Sequence, residues 1–403
     1  MHSSEPVRSS SSYYDAMIIG GGLGGLISAI ELSRAGHRVV VLEKKEYPFH
    51  KVCGEYVSHE VLGYLQSLGF DPYAHGAARI TRLRISTPSG KNIHAPLKLG
   101  GFGLSRYVMD EALQSLAASY GARIITGARV TDLKCESDFC TAVTATGEQF
   151  SSLVGIGAWG KRDILDKKLD RPFLQAHTGY LGVKYHIRTD YPADEIGLDN
   201  FPGGYCGISR IEGDQYNLCY LYQRDYGGNF KTMAELEKTM LYQNPVLKRI
   251  FTQSEFLFAQ PEVINEISFS PKRQVEGHIF MCGDTAGLIT PLCGNGMSMA
   301  IAAAKLLCGM IIESRVLLSP YISPGGRIAL EQAYTKAWKG QFGRRLYWGR
   351  AIQKAFGEPR LSEIALRSIH AVPAAERWLI NQTHGQPLDH APVLKEGPIK
   401  SRS

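Results

Sequence analysis

Two hydrophobic rhythms divide the chain. Tyr14–Ile19 is a short β-type run, Leu26, Ala29, Ile30 and Leu32 then recur at roughly helical spacing as far as Gly36, and "HRVVVLE" is a continuous apolar run ending at Glu43. That order predicts a strand, a helix and a second buried parallel strand. Further on, "YLGVKYHIRTDYP", "FPGGYCGISRIEGDQYNLCYLYQ" and "VINEISFSP" alternate between Gly, Pro and Asp turns, which predicts an antiparallel sheet. "MAELEKTMLYQNPVLKRIF" between them predicts helices broken near Asn244-Pro245. From about Pro320 the pattern is helical. Tyr334, Trp338, Phe342, Leu346, Ile352 and Phe356 recur near helical spacing, with Lys336, Lys339, Arg344, Arg345, Arg350 and Lys354 around them. Such a stripe reads as core-facing, the alternative being a face that docks on an anionic membrane or an acidic carrier protein.

Composition narrows the class. The chain has 403 residues, 44% of them hydrophobic and 21% charged, enough for a large core in two structural units. Its net charge of +7 is mild, and no basic run points to nucleic acid. The eight cysteines form no CxxC pair and no Cys/His metal spacing, so reduced thiols in the cytosol are expected rather than a disulfide frame. "MHSSEPVRSSSS" has no apolar signal core and reads, like residues 396–403, as a tail. The apolar run after Gly296 is interrupted by Lys305. These features predict a cytoplasmic protein, at most peripheral to a membrane.

The chemistry begins at "GGGLGG". Gly20, Gly22 and Gly25 form GxGxxG between the first strand and helix, and Glu43 closes the second strand. The glycines permit a tight turn and close approach to a pyrophosphate, and Glu43 is placed to accept both ribose hydroxyls. A dinucleotide cofactor follows, and the glutamate argues against a 2′-phosphate. A second block, "MCGDTAGLITPLCGNGM" (281–297), separates FAD from NAD. Asp284 at a strand end can bond ribityl hydroxyls. Pro291 and the Gly294-Asn295-Gly296 turn, followed by Met297, would set a helix N-terminus against the flavin's pyrimidine edge.

With these residues the sequence resembles the FAD-dependent aromatic-hydroxylase (monooxygenase) superfamily, and within it the branch of geranylgeranyl reductases and flavin halogenases. The carriers are "GGGLGGL", "HKVCGEYVS", "GFGLSRYVMDEAL", "GARVTDL" and "GDTAGLITPLCGNGM", across roughly 13–310. The resemblance implies an α/β (α+β overall) fold: a Rossmann-like, glutathione-reductase-type FAD-binding domain, an inserted antiparallel substrate sheet and a helical C-terminus. The expected divisions are 13–85, 100–175 and 265–310 for FAD, 86–99 and 176–264 for substrate, and 311–395 for the helical region. It further implies Arg106 at the FAD phosphate or ribityl region, the Val130 backbone at adenine, and Cys53-Gly54 near the isoalloxazine. Gly24 and Lys44 complete the expected cofactor set. Trp159 stands where such families carry the aspartate of an Asp-Gly pair, which predicts slow reduction by free NAD(P)H.

Catalytic candidates are Glu55, Cys53 and Tyr205. Glu55 is read as a proton relay or as a salt-bridge partner of Lys51. Tyr205, Cys206, Arg210 and Cys293 are the expected substrate-pocket residues. The leading function is a monooxygenase that uses NAD(P)H and O2 to hydroxylate an aromatic, polyketide or lipid-like substrate. The alternatives are a flavin ene-reductase that saturates C=C bonds of a lipid-like substrate, and a non-catalytic FAD-binding protein. No GxSxG or HExxH pattern suggests hydrolysis.

Overall fold

The computed structural model describes residues 13–136, 138–175, 179–290, 294–319, 321–356 and 386–388. In chain order the first elements are β1 (Tyr13–Ile19), α1 (Leu23–Arg34), β2 (Val39–Leu42), β3 (Tyr56–Ser58), α2 (Leu62–Ser67), β4 (Ala78–Ser86), β5 (Asn92–Gly103), α3 (Arg106–Ser119), β6 (Arg123–Ile125), β7 (Val130–Cys135), β8 (Cys140–Thr144), β9 (Gln149–Gly157) and α4 (Ile164–Lys168). There follow β10 (Tyr180–Arg188), β11 (Glu195–Phe201), β12 (Gly204–Arg210), β13 (Tyr216–Gln223), α5 (Met233–Thr239), α6 (Pro245–Gln253), β14 (Glu255–Phe256), β15 (Glu262–Ile267), β16 (Val275–Glu276), β17 (Ile279–Met281), α7 (Gly296–Glu313) and α8 (Pro324–Phe356).

The expected βαβ unit forms. β1 lies parallel to β2 and to β9, and β9 parallel to β17. Residues 16–19 and 39–42 are buried, with α1 packed on β1 and β2 and α7 packed on α1. The strands end side by side at Ile19, Leu42, Gly157 and Met281, so the loops that follow them converge on one edge, where open α/β sheets bind ligands. α7 is, among the described residues, the one helix long and apolar enough to cross a membrane. Its Ile301, Ala304, Leu307 and Ile311 are buried in the core that also holds α1, so it is a core helix here.

The second sheet runs β14-β10-β13-β12-β11-β4-β5-β3, with β15 on β10. Its topology corrects the expected divisions. β4 lies in the range expected for the FAD unit, yet its residues from Arg82 on pair with 92–96 and run parallel with β11, whereas β3 pairs with Gly101–Gly103, inside the expected FAD range. The second sheet therefore takes strands from 56–103 as well as from 180–267. The pleat separates its two faces. Leu181, Val183, Cys206, Ile208, Leu218 and Tyr220 pack under α5 and α6, whereas Tyr205 and Leu221 belong to a different cluster on the opposite side. The helix break falls as expected: Asn244 caps α6 by accepting from Val246 N, with Pro245 in the first turn.

A second correction concerns sulfur. The β7–β8 register sets Cys135 directly opposite Cys140, and the two form a disulfide rather than remaining reduced. Cys53, Cys206, Cys219, Cys282 and Cys308 are free.

The C-terminal stripe is core-facing. Tyr334, Trp338, Phe342 and Leu346 are buried, and the Tyr334 hydroxyl donates to Met281 O at 2.7 Å. Trp338 packs against Gly287, immediately after the second Gly-Asp block. The side chains of Ile352 and Phe356 lie outside the described residues, as do both tails. Removing the buried ring in Phe342→Ala should cost about 3–5 kcal/mol in urea unfolding, while the exposed Lys339→Ala should stay within about 0.5 kcal/mol. Equal stability of the two variants would mean that α8 is not seated on the core.

Candidate active site

Glu43 organises the nucleotide end. It is buried, and its Oε2 accepts from Gly21 N at 2.7 Å while Oε1 accepts from Lys45 N at 3.0 Å. The Tyr47 hydroxyl donates to Gly21 O at 2.6 Å, so the loop is held from both sides. Gly20 has φ 105°, and a Cβ there would run into the Ala158 carbonyl and the Trp159 backbone; only glycine fits. Gly22 caps α1 without any side-chain hydrogen bond, which leaves first-turn amides for a ligand. Val130 and Lys44 line the same cavity; Lys44 is an exposed rim residue paired with Asp163 at 2.7 Å.

Two cations stand over the glycine loop. A Cβ at Gly22 would lie 3.5 Å from Arg106 Nη2 and 3.6 Å from Lys51 Nζ. Arg106 is held by Asp110 through two 2.7 Å hydrogen bonds, and Lys51 reaches the same carboxylate at 2.9 Å. Burial would raise the Asp110 carboxyl, but Arg106 and Lys51 outweigh it and hold it below the usual carboxylate range. This clamp supplies positive charge where a pyrophosphate would pass. The i,i+4 pair "RYVMD" was its signal in the sequence, and Asp110 went unread there.

The expected Glu55–Lys51 pair does not form. Glu55 is fully buried, and its Oε1 accepts from Lys184 Nζ at 2.5 Å and from Arg106 N at 2.7 Å, while Oε2 meets His186 Nε2 at 2.7 Å. Burial opposes ionisation, yet Lys184 and His186 pull its pKa down to about 2. A carboxylate so committed does not relay protons near neutrality, which corrects that reading. Its φ of 54° is a left-handed conformation unusual for a side-chain-bearing residue, held here by these partners.

The loops that follow β9 and β17 are tied together. The Thr285 hydroxyl accepts from Gly160 N at 2.8 Å, and buried Arg171 bridges Asp166 Oδ1 and Thr285 O. Lys272 Nζ donates to both Lys161 O and Asp284 O at 2.9 Å, and burial pulls its pKa down to about 8. Trp159 donates to Asp166 Oδ1 at 3.0 Å, so the indole is fixed at the cavity wall. Asp284, Gly294, Asn295, Gly296 and Met297 line that wall too, and α7 starts there with no side-chain cap on its first turn. Pro291 and Cys293 lie outside the described residues.

These surfaces enclose one continuous cavity of about 560 Å³ that runs from the glycine loop to the second sheet. Half-buried Cys53, together with Gly54, stands where the two regions meet. Tyr205, Gly207 and Ser209 face inward, followed by an aliphatic wall of Leu83, Ile85, Ile93, Leu97, Ile196 and Leu198. Two expected pocket residues do not belong to it. Cys206 points to the opposite face of its strand, under α5 and α6, and Arg210 is bound to Gly213 O at 2.7 and 2.9 Å. Cys219, unread in the sequence, faces the cavity, and burial raises its pKa to about 12.

The residues present fit FAD: an acidic ribose acceptor, a cationic clamp over a side-chain-free loop, and two uncapped helix starts lining one cavity. Comparisons with known proteins agree. Residues 13–148 match the family described as FAD binding domain. The digeranylgeranylglycerophospholipid reductase of Methanosarcina mazei is 26% identical over 366 residues, covering 85% of this chain and 84% of that protein. The menaquinone reductase of Mycobacterium tuberculosis is 25% identical over 325 residues, covering 75% and 77%. Among solved structures, a flavin-dependent brominase superposes with a TM-score of 0.76 at 19% identity, covering 94% of each chain. A geranylgeranyl bacteriochlorophyll reductase-like protein from Thermoplasma acidophilum gives 0.70 at 20% identity, covering 86% and 88%. The structural matches establish the shared fold.

Replacing Glu43 by Ala should weaken FAD retention at least about tenfold, since it removes a charged acceptor of hydrogen bonds. Asp110→Asn should do the same by loosening both cations. FAD titration of the apoprotein, with circular dichroism confirming the fold, measures both; unchanged affinity would displace the nucleotide from this cavity.

Proposed function

For a chain that carries an FAD binding domain and resembles geranylgeranyl reductases along most of its length, we propose an FAD-dependent oxidoreductase that saturates a carbon–carbon double bond in a small lipid-like substrate. The observation that carries this reading is the aliphatic wall continuous with the cofactor cradle. It offers a long hydrocarbon chain a dry place and, among the residues named in it, no cation to seat an aromatic acid. The two relatives described above are named as reductases, of a digeranylgeranylglycerophospholipid and of menaquinone.

Bound FAD supplies hydride transfer. Arg106 and Lys51 would neutralise its pyrophosphate, Glu43 would hold the ribose, Asp284 the ribityl chain, and the first turn of α7 the pyrimidine edge. Leu83, Ile85 and Ile93 exclude water and hold the substrate chain against the second sheet. Tyr205 Oη and Cys53 Sγ are the protons the cavity wall offers to the second carbon. NAD(P)H is the proposed reductant.

Hydroxylation of an activated ring is the second reading, and His50 favours it. This residue lines the cavity between Tyr107 and Phe258, and its Nδ1 is buried without a hydrogen-bond partner among the described residues. Burial, then Lys184 and His186, push its pKa down to about 4, so it is a neutral base near pH 7. Its neutral Nδ1 could accept a hydrogen bond from a ring hydroxyl.

Photoreduced holoprotein, mixed without oxygen with a prenyl lipid, should reoxidise and yield a product two hydrogens heavier. A product formed only in air, with one added oxygen, would favour the hydroxylase. Trp159 offers a donor and a stacking face but no acceptor for a nicotinamide-ordering loop. Reduction by NADH or NADPH alone should therefore be slow, and faster with substrate bound. Rapid reduction without substrate, unchanged in Trp159→Ala, would contradict that assignment.

A further inference from the structure

The cavity face of the second sheet changes character along its rows. In one row, Gly207 of β12 and Leu198 of β11 are neighbours, and the wall continues into Ile85 of β4. The adjacent row is different. Register places His186 of β10 beside Asn217 of β13, and Asn217 beside Ser209 of β12. Ser209 and Asn217 are each only 1% exposed. Among the described residues, neither Ser209 Oγ nor Asn217 Oδ1 has a hydrogen-bond partner, although the two side chains share one face of adjacent strands. Ser209 lines the cavity, whereas Asn217 beside it is reached only past the serine.

A buried hydroxyl and a buried amide oxygen left unpaired are each costly, so a native sheet keeps them where something completes them. The groups determine what that is. Ser209 Oγ can donate or accept, while Asn217 Oδ1 can only accept. A ligand hydroxyl satisfies both, taking the serine proton and giving its own to the amide oxygen. A carbonyl would leave Asn217 Oδ1 unpaired. A carboxylate or phosphate would meet that oxygen with like polarity, and the nearest cation-forming side chain in the row, His186, is engaged by Glu55.

We propose that Ser209 and Asn217 form a hydroxyl-binding subsite, so that the substrate is a neutral alcohol or phenol with a hydrocarbon tail lying along Leu83 and Ile85. The inference rests on the cavity being the substrate chamber, and it holds for either redox outcome. FAD-loaded protein titrated with 4-hexylphenol and with hexylbenzene, followed by flavin fluorescence or calorimetry, separates the two claims. The wild type should bind the phenol about tenfold or more tightly than the hydrocarbon, and Ser209→Ala should reduce that ratio to about threefold or less without weakening hexylbenzene. If Ser209→Ala does not load FAD, Asn217→Ala read in the same way carries the test. A wild type without preference, as when water alone completes the pair, would overturn the subsite, and so would a ratio unchanged in the variant. Binding of neither compound would overturn the chamber reading itself, and the subsite with it.

Discussion

The buried carboxylate of Glu55 is the constraint on which the rest of the site depends. Its oxygens are shared between Lys184 and His186 of the second sheet and the Arg106 amide at the start of α3. Arg106 in turn reaches Asp110, and Asp110 holds Lys51 above the glycine loop. One ionised group thus ties β10 of the second sheet to the start of α3. A buried charge of this kind is tolerated only when nearly every lone pair is engaged, and breaking such a pair costs about 3–5 kcal/mol. The backbone at Glu55 is left-handed, a conformation that these buried partners hold.

The division of labour follows from it. The cofactor side is polar and built at strand ends, where backbone amides, Glu43, Arg106 and Lys51 converge. The other side is a sheet face whose side chains grade from Lys184 and His186 through Asn217 and Ser209 to the aliphatic wall. Such a gradient suits an amphiphile that lies with one end near the flavin and its hydrocarbon in the dry part.

Much of this was legible in the chain. Contiguous runs and glycine spacing revealed the βαβ unit because parallel buried strands and pyrophosphate turns are local in sequence. Glu43 and the Asp284 block were read in that way and line the cavity, Val130 entered only through the family resemblance, and the 334–346 stripe reads as core because its spacing is helical. What escaped depends on pairing. Tyr56–Ser58 and Ala78–Ser86 join the second sheet through partners far along the chain. Cys206 differs from Tyr205 only by one step of the pleat, which turns it to the other face. Glu55 has a lysine four residues before it, yet its partners are 129 and 131 residues away. The Cys135–Cys140 bond likewise depends on hairpin register rather than on a spacing motif.

The pH dependence of unfolding in wild type and Glu55→Gln tests this coupling most directly. Glu55 titrates near 2 when folded against 4.5 as an ordinary carboxyl, so its contribution is present above pH 4.5 and lost as pH falls toward 2. At 1.36 kcal/mol per pH unit the loss is on the order of 3 kcal/mol. The account predicts that Glu55→Gln is less stable than wild type by about that amount at pH 6, that the gap closes as pH falls through this window, and that FAD retention drops in parallel. A variant as stable as wild type at pH 6, with undiminished FAD affinity, would contradict it.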